Sequence, residues 1–182
     1  LKDAPVILLL HGFPSSSHMF RNLIPKLSQH YHVIAPDLPG FGFSSAPDRT
    51  KFMYTFENLT KIIEGFIKEV NITRYAIYVF DYGAPVGFRL ALNNPEGITA
   101  IISQNGNAYE VGLSDGWTPI QKYWNDPTNE NRNALRNLLK LETTKWQYTH
   151  GVADTSVIAP ESYIVDQFFL DRQGNAEIQL AL

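Results

Sequence analysis

The chain has 182 residues, 44% hydrophobic and 13% aromatic, with a formal net charge of −3. That length can bury the core of one domain, and no basic cluster offers a nucleic-acid footprint. There is no cysteine, which excludes disulfides, thiolate metal sites and Cys nucleophiles and fits a reducing, cytoplasmic setting. Val6 to Leu10, the longest aliphatic run, is too short to span a membrane and lacks the flanks of a signal peptide.

In chain order, Pro5 to Leu10 reads as a buried strand closed by the turn His11-Gly12-Phe13-Pro14. His18 to Leu27 has helical spacing at Met19, Leu23 and Leu27. Tyr31 to Pro36 is a second strand, followed by a Gly-, Ser- and Pro-rich loop over Phe41 to Thr50. Phe56, Leu59, Ile63, Phe66, Ile67 and Val70 repeat near 3.6 residues and predict a helix over Phe56 to Val70. Tyr75 to Phe80 is a third strand running into Asp81-Tyr82-Gly83. A helix over Val86 to Leu92 and a fourth strand over Ile98 to Ser103 follow. Alternation of apolar strands with helices implies a parallel sheet covered on both faces. After Asn105 the texture changes. Tryptophans appear at 117, 124 and 146, and helical patterns occupy Pro119 to Trp124, Asn131 to Leu141, Pro160 to Leu170 and Ala176 to Leu182.

Ligands of parallel sheets bind beyond the carboxyl ends of the strands. Three such ends carry unusual sequences here: His11 to Pro14, Asp37 to Ser45, and Asp81 to Gly83. Asp81 stands between a strand and a helix, with Gly83 two residues on, as in a nucleophile elbow. Asp is also a common helix N-cap, so the motif alone supports a structural role as well. Gly40-Phe41-Gly42 lacks both a following helix and a basic partner, so it reads as a loop and not as a phosphate cradle.

Taken together, His11-Gly12-Phe13-Pro14, Ala35 to Ser44 (APDLPGFGFS) and Val79 to Leu92 (VFDYGAPVGFRLAL) resemble the α/β-hydrolase family in order and spacing. The branch resembled uses Asp as nucleophile and includes epoxide hydrolases and haloalkane or haloacid dehalogenases. The resemblance implies a truncated three-layer α/β-hydrolase fold with a mostly parallel sheet and the start of a helical cap. Residues 1–106 would be the N-terminal part of the core and 107–182 an incomplete cap. Both ends read as cut, at Leu1 and at Leu182. The triad acid and histidine are expected in a C-terminal core segment beyond the chain, and this piece alone is expected to be inactive.

The resemblance also assigns roles. Asp81 would attack carbon and form an alkyl ester. The amides of Phe13 and Tyr82 would form the oxyanion hole, with His11, Gly12, Pro14 and Gly83 shaping the turns. His18, His30, His32 and His150 read as surface or packing residues. Asn105, where some dehalogenases carry an acid, cannot supply a negative charge. Epoxide hydrolases of this type use cap tyrosines. Tyr123 matches the second of these, whereas the first falls on Ile120. Trp124, Trp146, Tyr109 and Tyr148 are the other substrate-binding candidates, each with core packing as the alternative. Haloalkane dehalogenases often place Trp after the nucleophile, where this chain has Tyr82. Haloacid dehalogenases carry arginines where Tyr82 and Pro85 stand. Phe13-Pro14 beside an Asp elbow favours an epoxide hydrolase giving a diol. A dehalogenase is the alternative, and a non-catalytic binding protein is a further one because Val79 is large for its place in the elbow. The expected partners are a small apolar electrophile and water, without nucleic acid, membrane, metal or organic cofactor.

Overall fold

A computed structural model describes residues 4–182; the expected cut end at Leu1 lies outside the described residues. The chain divides into two compact units, Leu1–Ala108 and Tyr109–Leu182.

The first unit is built on a parallel sheet of β1 (Val6–Leu10), β2 (His32–Ile34), β3 (Tyr75–Phe80) and β4 (Ile98–Gln104), in the order β2-β1-β3-β4. The two central strands hold the core: Leu8, Leu9, Leu10, Ile77 and Val79 are almost fully buried. Each such side chain stabilises the fold by about 1.5–3 kcal/mol relative to exposure. Strand alternation splits this core into two layers. Ile7 and Leu9 pack with Phe20, and around them lie Met19, Leu23, Leu27, Val33 and Tyr78.

Helix α2 (Phe56–Glu69) begins where Thr55 accepts a hydrogen bond from the Asn58 amide at 3.2 Å. It buries Leu59, Ile63 and Ile67 on one face. The opposite face carries the exposed Glu57–Lys61 pair at 2.7 Å, which solvent screens. Helix α3 (Gly83–Asn93) starts three residues before the expected Val86. Pro85 falls in its first turn, where the missing N–H has no intrahelical partner to lose.

Three local expectations are corrected. His18 to Leu27 is a 3-10 turn over Ser17–Phe20 and then a short α1 (Ile24–Leu27), because Pro25 cannot continue a helix begun upstream. The second strand is only three residues long, since Pro36 has no amide for the ladder. β4 is not buried on both faces. Among the described residues it pairs with β3 alone, and Ile101 and Ile102 remain 47% and 42% exposed.

The second unit contains α4 (Thr118–Asn125), α5 (Asn129–Ala134), α6 (Leu141–Thr149), α7 (Glu161–Leu170) and α8 (Asn175–Gln179). The helix expected over Asn131 to Leu141 instead breaks into α5 and a 3-10 stretch at Leu135–Leu139. α6 was not legible, because its threonines and aromatics are weak helix formers and only Thr144 is buried. Polar contacts join these helices. The Thr144 hydroxyl donates to Gln167 Oε1 at 2.9 Å, Gln167 Nε2 donates to the Leu139 carbonyl at 3.0 Å, and Arg132 and Arg136 both pair with Glu177. No helix of the described residues is long and apolar enough to cross a membrane.

Candidate active site

The β1–β3 register sets the geometry. Leu10 pairs with Val79, so the chain leaving β1 reaches Gly12 where the chain leaving β3 reaches Asp81. Asp81 has φ 48°, in the left-handed region. That costs a non-glycine residue of order 1 kcal/mol or more and tends to occur where a side chain must be aimed. The elbow is closed by the Ala84 amide, which donates to the Asp81 carbonyl at 2.9 Å, and α3 begins at once. Gly83 permits this because any Cβ there would run into the Leu10 carbonyl.

The Asp81 carboxylate meets two backbone donors. The amides of Phe13 and Tyr82 both donate to Oδ1, each at 2.7 Å. These are short, charge-assisted bonds. Burial pushes the Asp81 carboxyl above the ordinary carboxylate range, and the two amides pull it back in part. The second oxygen, Oδ2, takes no part in these two bonds. A side chain carrying both a free oxygen and an oxygen held by two amides can attack carbon with the first and accumulate charge on the second.

The turn after β1 lies against the turn after β3. Gly12 lies against Asp81 with no space for a Cβ. The Phe13-Pro14 bond is cis. His11 is fully buried; Nε2 accepts the Leu38 amide at 3.0 Å and Nδ1 lies 3.0 Å from the Gly12 carbonyl. The proton is therefore assigned to Nδ1. Burial, first of all, lowers the imidazole below its ordinary pKa, opposed by the Gly12 carbonyl and by Asp37. With both nitrogens engaged, His11 is a brace and not a base. His30 and His32 are exposed at the start of β2, away from the carboxyl ends of the strands.

Aromatic rings flank the elbow. Tyr82 lies 5.7 Å from Phe13, 5.0 Å from Phe56 and 6.3 Å from Phe41, ring centre to ring centre. Burial, then the nearby Asp81 charge, raises its phenol beyond the ordinary tyrosine range, so it stays protonated. Val79 packs against Gly87 of α3, where a Cβ would run into the valine methyl.

Two further residues lie in the quoted motifs without a role assigned to them there. Gly87 is one. Asp37 is the other: Oδ1 accepts the Ser17 amide at 2.7 Å and Oδ2 the Phe43 amide at 2.8 Å. Gly42, at φ +47°, packs directly on this carboxylate. Gly42 thus packs on an internal acid, which an Asp placed three residues before a Gly-x-Gly loop could have suggested.

The substrate-binding candidates belong to the second unit. Tyr109 and Trp124 are largely exposed, with Trp124 tilted 5.9 Å from Trp117. Tyr123 is half-buried in α4. Trp146 stacks on His150 at 4.4 Å, and the Tyr148 hydroxyl donates to Asp166 Oδ2 at 2.5 Å. No cluster of His, Asp and Glu placed to hold a metal occurs among the described residues.

Together these features define an α/β protein in which a strained strand-to-helix turn presents a carboxylate to two backbone donors. A family model for the alpha/beta hydrolase fold matches residues 5–156, and the chain belongs to that family. It is 46% identical over 183 residues to the uncharacterized hydrolase YNR064C of Saccharomyces cerevisiae, covering 98% of this chain and 62% of that protein. It is 41% identical over 95 residues to a haloalkane dehalogenase of Bradyrhizobium diazoefficiens, covering 52% of this chain and 30% of the dehalogenase. Among solved structures, Cfl2 from Burkholderia cenocepacia superposes with a TM-score of 0.81 at 22% identity, over 100% of this chain and 63% of Cfl2. The α/β-hydrolase fold expected from the motifs is therefore found, and the chain spans less than two thirds of the length of these proteins.

Proposed function

We propose that the natural protein is a hydrolase that attacks an electrophilic carbon with Asp81, and that its reaction is the opening of an epoxide to a diol. The observation that carries this reading is the pair of 2.7 Å amide bonds on Asp81 Oδ1. Asp81 Oδ2 attacks a ring carbon, the C–O bond breaks, and the alkoxide takes a proton. The product is an ester whose carbonyl oxygen is Oδ1. Water, deprotonated by a base, then attacks Cγ, and the oxyanion forms on Oδ1 between the amides of Phe13 and Tyr82. Collapse releases the diol and restores the carboxylate. Each such donor contributes about 10²–10³ in rate.

The base and its acid are proposed to lie outside this sequence, which spans 62% of the yeast relative; His11, with both nitrogens engaged, is not the base. The region from Tyr109 onward is proposed as a cap, with Tyr123, Trp124, Tyr109, Tyr148 and Trp146 as substrate contacts. Phe13-Pro14 beside the Asp elbow favours the epoxide. The likeness to a haloalkane dehalogenase supports a second reading, in which the same ester forms by loss of halide.

Rapid-quench intact mass of the full-length natural protein separates them, with styrene oxide and 1-bromobutane as probes. An epoxide adduct on Asp81 that is absent in Asp81→Asn is expected. An adduct from the bromide alone reverses the choice, and no adduct from either favours a different electrophile or a binding role.

A further inference from the structure

The loop that carries the Phe13 amide is tied down at both of its ends, and both ties land on consecutive residues at the exit of β2. At its start, His11 Nε2 accepts the Leu38 amide at 3.0 Å; at its end, the Ser17 amide donates to Asp37 Oδ1 at 2.7 Å. Between them the Ser15 amide closes a turn on the Gly12 carbonyl at 3.0 Å. Asp37 is itself held from the other side. Its Oδ2 accepts the Phe43 amide at 2.8 Å, and its carbonyl accepts the Ser44 hydroxyl at 2.6 Å.

We infer that Asp37 is the positioning residue for the Phe13 donor and so governs the hydrolytic half of the reaction selectively. The inference rests on the reading of Asp81 as nucleophile. Its asymmetry follows from charge. During alkylation the Asp81 carboxylate loses its negative charge, so a well-placed Phe13 amide gives no advantage. During ester hydrolysis negative charge is rebuilt on Oδ1, and the amide must already be in place. A donor displaced by a fraction of an ångström therefore slows the second step and leaves the first unchanged or slightly faster.

Asp37→Asn tests this. Its amide nitrogen is a donor and cannot accept, so only one of the Ser17 and Phe43 bonds survives. Ser17→Pro is the second variant. It deletes only the amide that reaches Asp37, at the first position of a 3-10 turn, and the preceding Ser16 is already extended (φ −150°, ψ −173°) as a residue before proline must be.

Rapid-quench kinetics on the full-length natural protein, with styrene oxide, measures ester formation and ester decay separately. Decay is expected to slow about ten-fold or more in both variants, with formation within about three-fold, so that ester accumulates. Equal slowing of both steps, or unchanged decay in the folded Ser17→Pro protein, overturns the inference and leaves Asp81 as nucleophile. If the unmodified protein forms no ester and Asp81→Asn hydrolyses the epoxide equally well, the reading of Asp81 falls, and the role of Asp37 with it.

Discussion

Gly12 and Asp81 touch so closely that position 12 has room for a hydrogen and not for a methyl group: a Cβ there would lie within 2.7 Å of Asp81 Oδ1. The contact couples the turn after β1 to the turn after β3. Either the carboxylate or the Phe13 amide must move if the glycine is lost. Gly12→Ala is expected to reduce kcat by about a hundred-fold and to destabilise the fold by about 1–3 kcal/mol. Steady-state kinetics and urea unfolding on the same preparation check both. Retention of near-normal kcat would separate the Phe13 amide from the chemistry.

Asp81→Asn is expected to abolish turnover and yet stabilise the protein by about 1 kcal/mol, as replacement of a strained functional residue often does. Asparagine accepts the same two amide bonds, tolerates positive φ better and carries no charge to bury. The pH dependence has a definite sign. The Asp81 carboxyl is raised in the folded state, chiefly by burial, so its contribution to stability is fully present below the unfolded carboxylate pKa. It is lost as pH rises through the folded value. The gain from Asp81→Asn should accordingly be larger near neutral pH and shrink in acid to the part that comes from the backbone. Thermal melts of both proteins across that range measure it.

His11 has the opposite sign. Its folded-state pKa is lowered from 6.5, mainly by burial, so the stability it contributes is present above 6.5 and is lost as pH falls toward the folded value. Protonation also removes the acceptor for the Leu38 amide. His11→Gln, which keeps an acceptor and cannot titrate, is expected to lose less stability than the unmodified protein between neutral pH and the onset of acid unfolding. Parallel pH-dependent loss in the two proteins would rule out His11 as the titrating group.

Val79 and Gly87 form a steric pair. Gly87→Ala is expected to destabilise by about 1–3 kcal/mol through overpacking, and Val79→Ala to cost a similar amount as a cavity. The double variant is expected to be more stable than the sum of the two. A double-mutant cycle in denaturant measures the coupling; strict additivity would mean that helix and strand do not meet at this point.

The pattern of apolar strands and the Asp81 elbow were legible because they are local. A run such as Tyr75 to Phe80 followed by Asp-x-Gly announces itself within nine residues. What escaped notice depends on residues far apart in the chain. Asp37 matters through Ser17, twenty residues earlier, and Gly87 through the strand it crosses. Pro25 is local, yet its effect was outweighed by the apolar spacing of Met19, Leu23 and Leu27. α6 was hidden because its surface carries few apolar residues to set a period.

The two oxygens of Asp81 are not interchangeable, since both amides bind Oδ1. On the proposed reaction, the oxygen that leaves with product is always Oδ2, and the oxygen that replaces it always comes from water. Oδ1 then remains in the protein through every cycle. Many turnovers in ¹⁸O-water should therefore place one heavy oxygen on Asp81 and never two, a record of how firmly the carboxylate is prevented from rotating between cycles.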